Sequence, residues 1–132
     1  MNADYDDRIE PANNDPLARL LGINFLEVGN GYAAATMEVK PELLNGKGIT
    51  HGAAIFALAD VVFGAASNSH ESSALALDVH ISFIKATKLG AVLQAAAREE
   101  NVTSKTGLYR MEVVDGHGQL VAVAEGRAIR KA

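Results

Sequence analysis

The sequence predicts an α+β fold in which an antiparallel sheet of five to six strands wraps around one long central helix. Residues 48–67, GITHGAAIFALADVVFGAAS, are a nearly continuous apolar stretch of helical length with strand-like segments on both sides. Asn30-Gly31 and Asp115-Gly116 each fall between two strand-like runs, where they favour hairpin turns. With 132 residues, the chain is long enough for one domain and too short for two ordinary ones.

The N-terminal part of the chain predicts an arm followed by a short helix. Residues 1–14 are polar, rich in Asp and Asn and without a periodic apolar pattern, so we expect a loose or partly ordered arm and one domain over residues 15–132. Asp15, Pro16 and Gly22 are typical of an N-cap, a first helical residue and a helix end. Together they predict a helix between Asp15 and Gly22.

Two strands and a loop are predicted between this helix and the long apolar one. Residues 23–40 carry strand-like runs on either side of the first hairpin dipeptide. Residues 41–50 are punctuated by glycine and predict a loop. We expect the central helix to begin at His51 or Gly52 and to end near Ser69.

The remainder of the chain predicts four strands. Residues 73–86 alternate between apolar and mixed positions, a pattern typical of a half-buried strand. Residues 90–102 and 106–131 predict three further strands, with a hairpin at the second dipeptide. The apolar face predicted for the first of the four strands consists of Leu75, Leu77, Val79, Ile81 and Phe83.

The central helix also predicts a second copy of the chain. Its small residues let one side approach the sheet closely, and because it is apolar all round, its other side must be covered as well. A chain of this size does not easily cover both sides alone. We therefore expect a homodimer in which two sheets or two helices complete each other's burial.

Composition and charge argue against several functional classes. A formal net charge of -4 at pH 7, with no run of Lys or Arg, argues against a nucleic-acid partner. The absence of cysteine excludes disulfides, thiolate metal sites and cysteine nucleophiles. The N-terminal segment lacks the basic and apolar regions of a signal peptide, and Asp60 interrupts an apolar stretch too short to span a bilayer. We expect a cytoplasmic protein with no membrane partner.

Asp60 is the candidate catalytic group, because it is the single acid in the apolar stretch. An ionised carboxylate in apolar surroundings is unfavourable unless it is paired or hydrogen-bonded, and its pKa tends to rise. Such a group is expected at a catalytic site. The alternative is structural: Asp60 could cap a neighbouring loop or pair with a lysine from the sheet.

Gly52 is the second candidate, because it follows His51 at the expected start of the helix. Backbone N–H groups at a helix N-terminus have no intrahelical acceptor and suit a polarised carbonyl or an oxyanion. Eight residues separate Gly52 from Asp60, roughly 12 Å at about 1.5 Å per residue along a helix. If both groups serve one substrate, each must come from a different subunit.

The pattern Asn45, five residues, His51-Gly52 and then Asp60 nine residues after the histidine resembles the helix motif of hotdog-fold thioesterases of the phenylacetic-acid-degradation (PaaI) type. The resemblance continues through further segments and covers nearly all of residues 15–130. It implies a hotdog fold, dimers that pair into a homotetramer, and hydrolysis of acyl-CoA substrates at sites between subunits. The further segments are residues 66–70, 80–90 and 103–126.

The same resemblance implies a role for each residue of the motif. Asp60 would be the general base or the nucleophile, and the Gly52 N–H would donate to the thioester carbonyl. Asn45 and His51 would help to hold the carbonyl and the loop. Without the motif, Asn45 is an ordinary turn residue, and His51 could be a core or loop histidine bonded to the backbone.

Two positions depart from the family pattern. Ala53 stands where relatives often have a second glycine, and its methyl group narrows the site but leaves the Gly52 donor intact. Some relatives orient water with a hydroxyl on the strand after the helix, and the nearest match here is Ala76. That role is unassigned, because Ser72 and Ser82 are only weak substitutes.

Three functions are compatible with these residues. The first is a thioesterase for a small acyl group such as aryl-acetyl, with a pocket near Phe56, Leu58 and Phe63. The others are an acyl-thioester hydratase or dehydratase on the same fold and a non-catalytic acyl-CoA-binding module. No cofactor is expected, and no metal, because Asp78 and His80 on one strand face lack a third ligand.

Overall fold

A computed structural model describes residues 8–131 of the chain. Three α-helices, six strands and a short 3₁₀ helix at Pro41–Leu43 make up these residues. The helices and strands are, in chain order, α1 (Ile9–Asn13), α2 (Pro16–Leu21), β1 (Ile23–Gly29), β2 (Tyr32–Glu38), α3 (Gly52–Ser67), β3 (Ala74–Phe83), β4 (Val92–Val102), β5 (Thr106–Val114) and β6 (Leu120–Arg130).

All six strands form one sheet in the order β1-β2-β4-β5-β6-β3, and every neighbouring pair is antiparallel. The long helix α3 packs across this sheet and contacts all six strands. The predicted α+β architecture is therefore confirmed, with six strands around a central helix. No helix within residues 8–131 combines the length and apolar character that crossing a bilayer requires.

Small side chains bring α3 close to the sheet. The strands beneath it contribute buried alanines, among them Ala33, Ala35, Ala95 and Ala97. At Gly126 the approach is closest, because a Cβ there would lie 2.8 Å from Cε2 of Phe63. The core is thus filled mainly by aliphatic side chains over an alanine-rich sheet.

The ends of α3 are fixed by side chains that satisfy its free backbone groups. His51 is the N-cap: its Nδ1 accepts a hydrogen bond from Ala53 N at 2.9 Å. At the other end, Asn68 Nδ2 donates to the Gly64 carbonyl at 3.0 Å and to the Ala74 carbonyl at 3.1 Å. The helix begins where the sequence predicts it and ends two residues before the expected Ser69.

The N-terminal region is more ordered than the sequence predicts. Helix α2 has the expected Asp15 cap and a Gly22 end with φ of 73°. Ahead of it, α1 lies within the segment expected to be a loose arm, and Asn13 Oδ1 accepts a hydrogen bond from Phe25 N at 2.7 Å. Ile9 packs partly against the core, an isolated contact that no periodic pattern reveals. The part of the predicted arm before Arg8 lies outside the described residues.

Both predicted hairpins form, with different turn geometry. The first is a two-residue turn in which Gly31 takes φ of 71°. The second loop spans residues 115–119 and is held by Asp115, whose Oδ1 accepts hydrogen bonds from His117 N and Gln119 N. Gly118, not Gly116, has the positive φ there.

Strand β3 differs from the half-buried strand that the alternation predicts. It lies at the edge of the sheet, and its register with β6 shifts between Ala76 and Asp78, which interrupts the alternation of faces. Leu75, Leu77 and Phe83 are 66%, 47% and 53% exposed. The apolar side chains of β3 therefore lie largely uncovered in the single chain.

Candidate active site

Asp60 lines a cavity between the N-terminal helices and α3. The cavity has a volume of about 510 Å³, and Asp60 lies half-buried at one wall. Its other polar groups are Arg8, Asp15, Asn68 and Ser69. Apolar side chains supply the remaining walls, chiefly Pro11, Leu17, Phe25, Val28, Val61 and Ala65.

The carboxylate of Asp60 is not neutralised by the surrounding protein. Among residues 8–131, none donates a hydrogen bond to it or forms an ion pair with it. Burial raises the pKa of Asp60 above its ordinary value of 3.8, and the negative charge of Asp15 raises it further. The alternative that Asp60 caps a loop or pairs with a lysine is therefore not what the fold forms. Within the described part of the chain, Asp60 is therefore an unpaired carboxylate at the cavity wall.

Gly52 offers a free backbone donor at the start of α3. It is the first helical residue, where an N–H has no intrahelical acceptor, and no described residue accepts from it. The Phe83 ring lies beside it, since a Cβ on Gly52 would be 3.3 Å from Cζ of that ring. Glycine here keeps the amide approachable.

The loop before α3 is held by Asn45 and by a buried pair of threonines. Asn45 Oδ1 accepts from Lys47 N at 2.9 Å and from Ile49 N at 3.3 Å. Thr50 N donates to the Thr87 carbonyl at 2.9 Å, and the two hydroxyl oxygens lie 2.7 Å apart. The carbonyl of the Asn45 side chain thus serves the loop. Its amide group makes no hydrogen bond with any described residue.

The single chain separates the two ends of the predicted site. Asp60 faces the cavity, whereas Gly52, His51 and Asn45 do not line it. The motif residues therefore fall into two groups: one carboxylate beside the N-terminal helices, and one donor with its loop at the start of α3.

The predicted pocket residues are partly wrong. Leu58 and Phe63 are 0% and 1% exposed and pack into the core, and Phe56 does not line the cavity. Because α3 is apolar all round, its sequence does not distinguish the core side from the cavity side. Gly64 and Asn68, four and eight residues after Asp60, do line the cavity. Residues at this spacing share one face of a helix, so the sequence position of Asp60 is enough to predict them as cavity residues.

Among residues 8–131, no free hydroxyl side chain lines this cavity in place of the one missing at Ala76. Ala76 and Ser82 are exposed on β3, and Ser72 does not line the cavity. Ser69 does line it, but its hydroxyl donates to the Ala66 carbonyl at 2.6 Å and accepts from Gly31 N at 2.7 Å. Because the Ser69 hydroxyl makes both of these hydrogen bonds within the protein, it does not replace the hydroxyl that would orient water.

The other titratable candidates are placed elsewhere. Asp78 forms an exposed ion pair with Arg127 at 2.6 Å. His70, in the loop after α3, lies 2.6 Å from Glu99 Oε2. Within the described part of the chain, no three His, Asp or Glu side chains are grouped so that they could hold a metal ion.

This architecture, one apolar helix wrapped by a six-stranded antiparallel sheet with a lone carboxylate in the helix, defines a class: the hotdog-fold enzymes. The thioesterase superfamily matches residues 47–122. A relative from Archaeoglobus fulgidus is 45% identical over 117 residues, 89% of this chain and 76% of that protein. Acyl-coenzyme A thioesterase PaaI from Escherichia coli is 35% identical over 117 residues, 89% of this chain and 84% of that protein.

Solved structures agree with this likeness. The E. coli PaaI protein from the phenylacetic acid degradation operon superposes with a TM-score of 0.89 at 33% identity, covering 93% of this chain and 89% of that one. The smu.793 protein of Streptococcus mutans, solved with acetyl CoA bound, gives a TM-score of 0.80 at 28% identity over 83% of this chain and 89% of that one. The chain belongs to the thioesterase superfamily, which confirms the predicted hotdog fold, the PaaI-type resemblance and the assignment as a thioester hydrolase.

Proposed function

We propose that the chain hydrolyses a small acyl-CoA thioester, such as an aryl-acetyl-CoA, to the free acid and CoA. The observation that carries the proposal is the unpaired Asp60 carboxylate at the wall of an apolar cavity. Its E. coli relative is named as an acyl-CoA thioesterase, and its S. mutans neighbour binds acetyl CoA. A cavity of about 510 Å³ has room for an aryl-acetyl group.

The two groups supply complementary parts of the chemistry. The Gly52 N–H donates to the carbonyl oxygen, whose negative charge grows in the transition state. Asp60 either removes a proton from the attacking water or attacks the carbonyl carbon itself to give a mixed anhydride that water then hydrolyses. In both routes the carbon–sulfur bond breaks and CoA leaves as its thiolate. The good leaving group removes the need for a strong general acid.

The active site requires two subunits. Gly52 and Asp60 lie at the start and the middle of the same helix, and the cavity beside Asp60 does not reach Gly52. A second chain running antiparallel would bring its own Gly52 N–H opposite Asp60. His51 and Asn45 of that chain would hold the loop that presents the donor.

Uncovered apolar surface supports this homodimer. On α3, the partly exposed residues Phe56, Ala57 and Asp60 lie on the side away from the sheet. Strand β3 leaves a sheet edge open with Leu75 and Leu77 exposed, and an open apolar edge favours pairing with another strand. Two such dimers pairing into a homotetramer remains a prediction, and light scattering during size-exclusion chromatography measures both states.

Nothing in the site favours the two competing functions. A hydratase needs a histidine and an acid that converge on one carbon. No histidine among residues 8–131 lines the single-chain cavity with Asp60, and the histidine that the proposed dimer brings opposite it, His51 of the partner subunit, uses Nδ1 to cap its own helix. A binding module would retain acyl-CoA without releasing thiol. A thiol-release assay over a panel of acyl-CoAs, with enoyl-CoA hydration in parallel, separates all three functions and identifies the preferred acyl group.

Subunit complementation tests the shared site directly. Gly52→Pro removes the donor N–H and suits the first helical position, and His51, with φ of -65° and ψ of 134°, already has a conformation allowed before proline. Gly52→Ala is the matched control, since it adds a Cβ beside Phe83 but keeps the N–H. We expect Gly52→Pro to lose far more activity than Gly52→Ala.

Mixing the two inactive variants then tests whether Gly52 and Asp60 from different subunits form one site. Gly52→Pro and Asp60→Asn chains are each inactive alone, but refolded together at equal amounts they form half mixed dimers, each with one intact site. About a quarter of the wild-type activity should therefore return. No recovery despite verified mixed dimers would contradict a site shared between subunits.

A further inference from the structure

A second acid faces the same cavity as the catalytic candidate. Asp15 and Asp60 both line it, Asp15 from the start of α2 and Asp60 from the middle of α3. The two helices pack against each other. Asp15 is fixed at this point, because its Oδ1 accepts a hydrogen bond from Leu17 N at 3.2 Å and proline follows it.

The other groups around the cavity do not cancel this negative charge at Asp60. Arg8 is the one cation among the described residues that line the cavity, and it donates to the Ser69 carbonyl and, at 3.0 Å, to Asn30 Oδ1. Strand β1 presents Phe25 and Val28, which are apolar. Among the described residues, the charge of Asp15 is accordingly the one that acts on Asp60.

We propose that Asp15 is a positioning residue for the proton of Asp60: held by its cap at the start of α2, it faces Asp60 across the cavity and makes the ionised carboxylate a stronger base. The proposal rests on the proposed thioesterase function. A carboxylate with greater proton affinity accepts a proton from attacking water more readily, in line with the Brønsted behaviour of general bases. Asp15 itself contacts neither the substrate nor the attacking water.

The alternative is that Asp15 serves only as the cap of α2. Asp15→Asn separates the two roles, because asparagine keeps an Oδ1 that accepts from Leu17 N and is itself a good N-cap, yet it carries no charge. Glu112→Gln is the control for loss of a negative charge elsewhere, since Glu112 lies exposed on β5 in a pair with Arg110.

The first measurement is the pH profile of kcat/KM for phenylacetyl-CoA in the assembled wild-type protein and in both variants. In Asp15→Asn the acid limb should move to lower pH, while the plateau falls by less than the about hundredfold loss expected when a general base is removed. Glu112→Gln should leave the profile unchanged. A profile for Asp15→Asn that overlays the wild type would overturn the proposal.

The second measurement does not depend on activity. The carboxyl carbon of Asp60 is titrated by ¹³C NMR in wild type and Asp15→Asn, with Asp60→Asn to assign the signal. A midpoint that moves to lower pH supports the proposal, and an unmoved midpoint rejects it. If wild type releases no thiol from any acyl-CoA, the proposed function fails, and this titration still decides whether Asp15 acts on Asp60.

Discussion

Two half-buried carboxylates in this protein have opposite surroundings. Glu99 lies in a cluster with His70, Tyr109 and Arg130, which we call the Glu99 cluster. His70 Nε2 is 2.6 Å from Glu99 Oε2, Tyr109 OH donates to the same oxygen at 2.7 Å, and Arg130 Nη2 lies 3.6 Å away. Asp60, facing its cavity, has no such partner among the described residues. One carboxylate is built into the structure and the other is left available.

The pKa values of the two groups move in opposite directions for this reason. Burial acts to raise the pKa of both. At Glu99, the hydrogen bonds from Tyr109 and His70 and the charges of His70 and Arg130 outweigh burial, so the pKa is lowered. At Asp60, no opposite charge among residues 8–131 offsets burial and the charge of Asp15 adds to it, so the pKa is raised. Hydrogen bonding and charge pairing, more than burial, thus separate the two acids.

The largest expected effect is the loss of turnover in Asp60→Asn. Removing the base or nucleophile should lower kcat by about 10²- to 10⁴-fold in a thiol-release assay. The same substitution removes an unpaired charge, so the free energy of unfolding should rise by about 0.5–1 kcal/mol. Urea unfolding at pH 7 measures it. A variant that keeps its activity, or that loses stability as Glu99 variants do, would erase the contrast between the two acids.

The next effect is the loss of stability in Glu99→Gln. The substitution leaves the guanidinium of Arg130, whose side chain is 6% exposed, without its carboxylate, and weakens the bond from Tyr109. The free energy of unfolding should fall by about 2–3 kcal/mol, since breaking one side of a buried pair exposes the full desolvation of the other. Thiol release should persist at temperatures where the variant is folded.

Glu112→Gln is the matched control for this measurement. Glu112 pairs with Arg110 at 3.0 Å, but the two side chains are 50% and 48% exposed. Its loss should change the free energy of unfolding by less than about 0.5 kcal/mol. Equal effects for Glu99→Gln and Glu112→Gln would show that the Glu99 cluster adds nothing beyond a surface pair.

A smaller loss is expected from Tyr109→Phe. The hydroxyl of Tyr109 donates to Glu99 and accepts from Arg130 Nη2 at 2.6 Å, while its ring packs on Phe63 with centroids 5.5 Å apart. Phenylalanine keeps the ring contact and removes one hydroxyl, so thermal or urea unfolding should show a loss of about 1 kcal/mol. A loss as large as that of Glu99→Gln would instead show that the Tyr109 hydroxyl contributes most of the stability of the Glu99 cluster.

The sequence predicts the catalytic half of this contrast better than the structural half. Asp60 is evident because one acid in an apolar run of helical length needs a reason, and the start of α3 is evident from His51-Gly52. The Glu99 cluster joins side chains from three strands and the loop after α3, and nothing local in β4 marks Glu99 as the centre of such a network.

For a related reason, the sequence does not predict that Asp15 lies across the cavity from Asp60. Asp15 was recognised as a helix cap, but its position opposite Asp60 depends on how α2 docks on α3, more than 40 residues along the chain. The exposure of β3 depends on its place at the sheet edge, which strand alternation does not encode. Local patterns therefore gave the elements, and tertiary docking decided which faces met.

The smallest expected effect is on how the free energy of unfolding depends on pH, which differs between Glu99 and Asp60. Glu99 has a lowered pKa in the folded state, so its stabilisation is present above its ordinary value of 4.5 and is lost as pH falls through the folded value. Asp60 has a raised pKa, so the folded state holds its proton more tightly, and stability declines as pH rises from the ordinary value of 3.8 through the folded value.

Urea unfolding between pH 3 and pH 8 separates the two contributions. Relative to wild type, Asp60→Asn should gain stability as pH rises, and Glu99→Gln should lose part of its deficit as pH falls. Each change should be a fraction of about 1.4 kcal/mol, the equivalent of one pKa unit. Both curves parallel to wild type would mean that neither acid titrates differently on folding. Opposite slopes would tie the reactivity of Asp60 to the pairing that it lacks.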